Sequence, residues 1–154
     1  MQPTTRPLPE LMWSLGYGGL LPFLALSAAL MYETSLPGLE NVRLDWWLAA
    51  YAAIILSFLG AVHWGVTLGM LDKLEQRERT HLLLFSVVPG VLAWFALLLP
   101  IQGALFALAG LVTLVYVADT RLLFRLLPDD YRKMRRNLTI AVTCSLIASG
   151  IVAG

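Results

Sequence analysis

The chain has 154 residues, of which 58% are hydrophobic and 14% charged, with a mean hydropathy of +0.74 and a formal net charge of +1. A soluble domain carries about 25% charged residues. One small core cannot hide this much apolar surface, so an ordinary soluble protein is excluded and lipid is the expected solvent. The single cysteine, Cys144, excludes an internal disulfide framework and a cysteine-based metal cluster. It reads as a small buried hydrophobe.

Five apolar stretches follow one another, roughly over residues 11–32, 46–71, 81–99, 103–118 and 138–153. Each is expected to be a helix, because an isolated strand in lipid leaves its backbone groups unpaired. The expectation is an all-α polytopic bundle of five transmembrane helices in a single integral membrane domain, 1–154. The first stretch follows only Arg6, is longer than a signal-peptide apolar core and lacks an A-x-A site, so it reads as a retained helix. Pro22 interrupts it.

The second stretch carries small residues at every fourth position: Ala49, Ala53, Ser57, Ala61, Gly65 and Gly69. Such rows let helices approach closely in lipid, and this one ends in a GxxxG. With Gly60 alongside, it predicts a central helix whose packing positions are Gly60, Ala61, Gly65 and Gly69. Pro89 in the third stretch predicts a bend that either opens space or seats a neighbour.

Between the fourth and fifth stretches lies "RLLFRLLPDDYRKMRRNLT". Residues 119–137 read as a basic loop that either fixes topology alone or lies at the interface as an amphipathic helix. In the second case Arg132, Lys133, Arg135 and Arg136 would meet lipid head groups. The charges also give direction. Arg6, the 72–80 loop with Lys73, Arg77 and Arg79, and the 119–137 segment with six more Lys and Arg share one side, and only Arg43 faces the other. By the positive-inside rule the N-terminus is cytoplasmic and the C-terminus outside.

His63 stands in "SFLGAVHWG", where a neutral imidazole still needs a donor and an acceptor. Counted along antiparallel spans, His63 and Asp119 both fall roughly 25 Å from the outer boundary. Tyr17, Ser86, Tyr116, Thr139 and Thr143 fall in the same half, so a polar layer is expected. Ionisable residues inside a span are costly and mark function by default. Against this, His63 could bond a neighbouring hydroxyl or carbonyl, and Asp119 could sit at head-group level. Trp64 and Trp94 are the deep aromatics to place around a pocket, with packing as the plainer alternative. Trp13, Trp46 and Trp47 fit an interfacial belt.

No H-E-x-x-H, P-loop or G-x-S-x-G is present, so no catalytic residue and no metal ligand is assigned. A haem would use His63 as axial ligand, but His81 is expected at another depth. The basic residues are explained by topology, which leaves nucleic acid without a role.

The ordered set "GYGGLLPFLAL", "YAAIILSFLGAVHWG", "SVVPGVLAWFALLLP" and "YVADTRLLFRLLPDDYRKMRRNLT" resembles the DUF3429 family of small polytopic membrane proteins, from about Gly16 to Thr139. The family's P-x-W-Y pattern is Pro128, Asp129, Asp130, Tyr131 here, with Asp130 in place of the tryptophan. The resemblance implies a bacterial or organellar inner-membrane protein. It singles out Gly60, His63, Trp64, Gly65, Pro89, Trp94 and Asp119 for test. The expectation is a non-enzymatic protein of the bacterial inner membrane, an accessory or assembly subunit contacting lipid and other subunits or copies of itself. The alternatives are a carrier of quinone, haem or lipid at a pocket around His63, and, last, proton-coupled transport through His63 and Asp119. No cofactor is assigned.

Overall fold

The computed structural model describes residues 8–33 and 41–153, whose regular structure is all helical, with no strand among them. The helices are α1 (Glu10–Gly18), α2 (Leu21–Met31), α3 (Leu44–Gly69), α4 (Gln76–Ala96), α5 (Ile101–Leu122) and α6 (Asp129–Val152). Among the described residues, four segments are long and apolar enough to cross a membrane: Glu10–Met31, Leu44–Gly69, Gln76–Ala96 and Ile101–Leu122. The fifth apolar stretch is the second part of α6, whose first turns hold Asp129, Asp130, Arg132, Lys133, Arg135 and Arg136. That charge removes α6 from the same class.

The first stretch is two helices. Gly18 and Gly19 break it, and Pro22 sits in the opening turn of α2, where its missing N–H costs nothing. Tyr51 on α3 donates to the Gly19 carbonyl at 2.9 Å and so satisfies one acceptor freed by the break. The start of α4 is fixed by a capping box between Glu75 and Glu78. Pro89 is buried inside α4, seating this helix against α3.

The 119–137 segment is not a loop. Helix α5 runs on to Leu122, a single 3-10 turn covers Phe124–Leu126, and α6 begins at Asp129 behind Pro128. Asp129 and Asp130 occupy the first turn of α6, where carboxylates complement the helix dipole. Each also pairs one turn on, with Arg132 and Lys133 respectively.

Helix α3 packs on α2, α4, α5 and α6, so its central place is as expected. Its buried track is Ala52, Leu56, Gly60, His63 and Thr67. Steps of three and four keep that track on one face of a 3.6-residue helix, whereas a strict four-residue row drifts off it. Ala61, Gly65 and Gly69 are accordingly exposed, and a Cβ added at Gly65 or Gly69 meets nothing. Those three do not serve packing within the bundle; Gly60 does. A Cβ there would run into the backbone carbonyl of Ser86, so only glycine permits this approach of α3 to α4.

The core joins Phe23, Leu48, Leu56, Leu105, Leu108 and Leu146 from α2, α3, α5 and α6. Leu74, Leu82, Leu123 and Phe124 form a second cluster under the α3–α4 turn. Phe58, Trp64, Leu84, Trp94, Leu114 and Ile151 are more than half exposed, the pattern of a lipid-facing surface. Cys144 is also exposed rather than buried.

Candidate functional site

Three ionisable side chains meet inside this apolar bundle, each from a different helix. His63 Nε2 on α3 lies 3.1 Å from Asp119 Oδ1 on α5, and Arg135 Nη2 on α6 lies 3.3 Å from Asp119 Oδ2. None exposes more than 4% of its surface. A charge so deep is kept only with a compensating partner, and here Asp119 sits between two.

Each group is held by its own helix. His63 Nδ1 is 3.2 Å from the Leu59 carbonyl one turn back, and Thr67 Oγ1 donates to the His63 carbonyl at 2.8 Å. A carbonyl only accepts, so the first contact calls for a proton on Nδ1. The ring also stands edge-on to Phe85 of α4, centroids 5.0 Å apart. Arg135 Nη1 donates to Thr139 Oγ1 at 2.7 Å. The link between helices is of another quality. His63 Nε2, Asp119 Oδ1 and Arg135 Nε and Nη2 have no hydrogen-bond partner among the described residues, although two of the contacts are at ion-pair distance. The charges attract while the angles leave donors and acceptors unused.

Arg135 also lines a cavity of about 720 Å³. Its walls come from Met12 and Leu15 on α1, Phe23 on α2, Phe58, Leu59 and Val62 on α3, and Tyr131, Met134, Leu138 and Val142 on α6. Almost everything else on the wall is apolar. Tyr131, in the charged opening of α6, has its hydroxyl pushed above the ordinary phenol range by burial; Arg135 opposes this and Asp119 adds to it. It is therefore a neutral neighbour at physiological pH.

The structure thus brings His63 and Asp119 together at one level of the bundle. Ser86 supplies the carbonyl against Gly60, and its hydroxyl bonds back to the Leu83 carbonyl at 2.6 Å. Tyr116 lies one turn before Asp119 and packs edge-on against Phe124 at 5.6 Å. Trp64 and Trp94 are elsewhere, 51% and 60% exposed on the outer surface, and neither touches the cavity. The pocket lies among α1, α2, α3 and α6, with Val112 of α5 also in its wall. Arg132, Lys133 and Arg136 point outward, but Arg135 is no head-group residue: it is the third member of the buried trio. A periodicity signal was present, since Arg135, Thr139, Val142, Leu146 and Ser149 step by four and three along one buried face of α6. Among the described residues no cluster of His, Cys, Asp and Glu could hold a metal ion.

The family model described as "Protein of unknown function (DUF3429)" matches residues 8–151. The chain belongs to the DUF3429 family. Its match takes in all three members of the trio. Among curated proteins the chain is similar to "Transmembrane protein 69" of Xenopus tropicalis, 34% identical over 147 residues. That alignment covers 93% of this chain and 54% of the relative, so the chain spans about half the relative's length. No solved structure matches it. With its apolar helices, this places the DUF3429 chain among membrane proteins.

Proposed function

We propose that the chain is a non-enzymatic membrane protein that binds a lipid-like amphiphile in the cavity among α1, α2, α3 and α6. The observation that carries this reading is Arg135, a buried cation in the wall of a largely apolar cavity. An apolar wall with few polar groups is what a lipid-like ligand needs. Quinone, haem and lipid all offer apolar bulk. Haem is least supported, because the imidazole nitrogen that would bind iron faces Asp119.

The setting we propose is the bacterial cytoplasmic membrane, with the second part of α6 as the fifth span, the N-terminus cytoplasmic and the C-terminus outside. The asymmetry of Lys and Arg supports it. Reporter fusions at the two ends test it; equal signals from both would reject five spans.

Native mass spectrometry of the chain extracted with its surrounding lipid tests binding. Wild type should carry a small amphiphile that Leu15→Trp, which fills the cavity without touching the trio, loses. Arg135→Gln should lose it too. Equal occupancy in all three forms would remove the cavity from the account.

A second reading, that of an accessory or assembly subunit, is favoured by the outward face of Ala61, Gly65 and Gly69. Trp64 and Leu68 flank that face, both exposed. Its signature is a protein partner, or a second copy, crosslinked through a cysteine placed at Gly65.

A further inference from the structure

We infer that α1 is a hinged lid over the cavity, and that what it admits is one acyl chain of a bilayer phospholipid whose head group stays at the membrane surface. This rests on the binding reading above and adds the occupant and its way in.

The occupant follows from the wall. Arg135 is its charged residue, but Nε and Nη2 are closed off, Nη2 is turned to Asp119, and Nη1 is given to Thr139. No seat for a charged head remains inside, and residues such as Leu59, Val62 and Leu138 offer a hydrocarbon surface. Length agrees. Along α6 the wall runs from Tyr131 to Val142, roughly 16 Å of helix, which is about half of a 30 Å hydrocarbon layer. Tyr131 belongs to the charged first turns of α6, beside Asp130 and Arg132. The cavity therefore begins at head-group level and ends near the middle of the bilayer, the depth of one leaflet's chains.

The lid follows from how α1 is held. None of its residues is buried, whereas α2 buries Phe23, Leu26, Ser27 and Ala29. Its inner side, with Leu11, Met12 and Leu15, faces the cavity. It forgoes there the dispersion contacts that fix a helix against a core. Its holds on α6 are light: Met134 lies against Gly16, and Asn137 Nδ2 donates to Tyr17 Oη at 3.4 Å, long for such a bond.

The far side of the break is anchored. Tyr51 holds the Gly19 carbonyl, its ring packs on Phe23 at 5.0 Å between centroids, and Ser27 bonds to α6. Gly18 and Gly19 carry no side chain to restrict backbone rotation, and a Cβ at Gly18 meets nothing. A lightly held half joined to a fixed half by two glycines is a hinge.

Gly16→Cys and Met134→Cys on a Cys144→Ser background let oxidation tie α1 to α6 and dithiothreitol release it. The delipidated chain is offered an equimolar mixture of palmitoyl-oleoyl phosphatidylcholine, oleate and decylubiquinone, and native mass spectrometry follows what is retained. The reduced form should retain one phosphatidylcholine per chain, and the bridge should slow both loading and release at least about tenfold. Equal rates in the two forms overturn the lid and leave binding intact. Preferential retention of oleate or decylubiquinone overturns the phospholipid chain as occupant. Retention of none of the three by wild type removes the binding reading itself. Spin labels give a second arm that needs no bridge, at positions that are all exposed. The pair Ser14→Cys and Ile140→Cys, across α1 and α6, should show a broader distance distribution than Leu24→Cys and Ile147→Cys, across α2 and α6. Equal widths overturn the lid.

Discussion

His63 on α3 and Asp119 on α5 are 56 positions apart in the chain, yet their side chains approach to 3.1 Å with no more than 2% of either exposed. Arg135 completes the arrangement from α6, and so three helices converge on one carboxylate. In water such contacts are worth little. Away from water a buried charge is kept only beside a partner, and the trio ties helix positions to charge balance.

Removing the carboxylate should therefore cost more than removing the whole pair. Asp119→Asn leaves Arg135 buried without its anion, at a cost of about 3–5 kcal/mol. The double variant Asp119→Leu, Arg135→Leu should cost clearly less than the sum of the two single leucine variants. Unfolding in detergent by sodium dodecyl sulfate titration reads all four forms. Additive single effects would mean that the residues do not act as a unit.

Glycine positions on α3 should separate sharply. Gly60→Ala drives a methyl into the Ser86 carbonyl and should destabilise by about 1–3 kcal/mol. Gly65→Ala and Gly69→Ala point into open space and should stay within about 0.5 kcal/mol. The same unfolding titration compares them. A large loss at Gly65 alone would put that face against a partner.

Helices α2 and α6 are joined by a serine relay. Ser149 Oγ donates to Ser27 Oγ at 3.0 Å, and Ser27 Oγ donates to the Ser145 carbonyl at 3.4 Å. Hydrogen bonds between helices in lipid average about 0.6 kcal/mol and reach about 1.7. Ser149→Ala should fall in that range, and Ser27→Ala slightly above it, since it breaks both links. A cost near zero for Ser27→Ala would mean that packing alone holds these helices.

Trp64 and Trp94 face outward, more than half exposed. Their fluorescence should be quenched by brominated lipid tails when the other tryptophans are replaced by phenylalanine. Trp64→Phe and Trp94→Phe should leave amphiphile occupancy unchanged in native mass spectrometry. Lost occupancy in either would move the binding site to the α3–α4 face.

The helical class, the membrane setting and the approximate extent of each apolar stretch were all legible in the chain. They depend on local composition, and lipid imposes helices wherever the backbone must satisfy itself. The shared depth of His63 and Asp119 was legible as well, because rise per residue converts sequence position into height. The course of residues 119–137 was not. Arginine and leucine alternate there, and the step from Arg135 to the buried face of α6 emerges only when that helix is read on from Asp129.

Height along a helix is thus a one-dimensional quantity that sequence determines; azimuth is not. Which way α3 turns decides that Gly60 and His63 are inside while Gly65, Gly69 and Trp64 look out. That rotation is set jointly by the Ser86 backbone, the Asp119 carboxylate and the Arg135 guanidinium, from three other helices. No local pattern encodes their meeting. The trio, its unused hydrogen-bonding edges and the apolar cavity beside it exist only once the helices have packed.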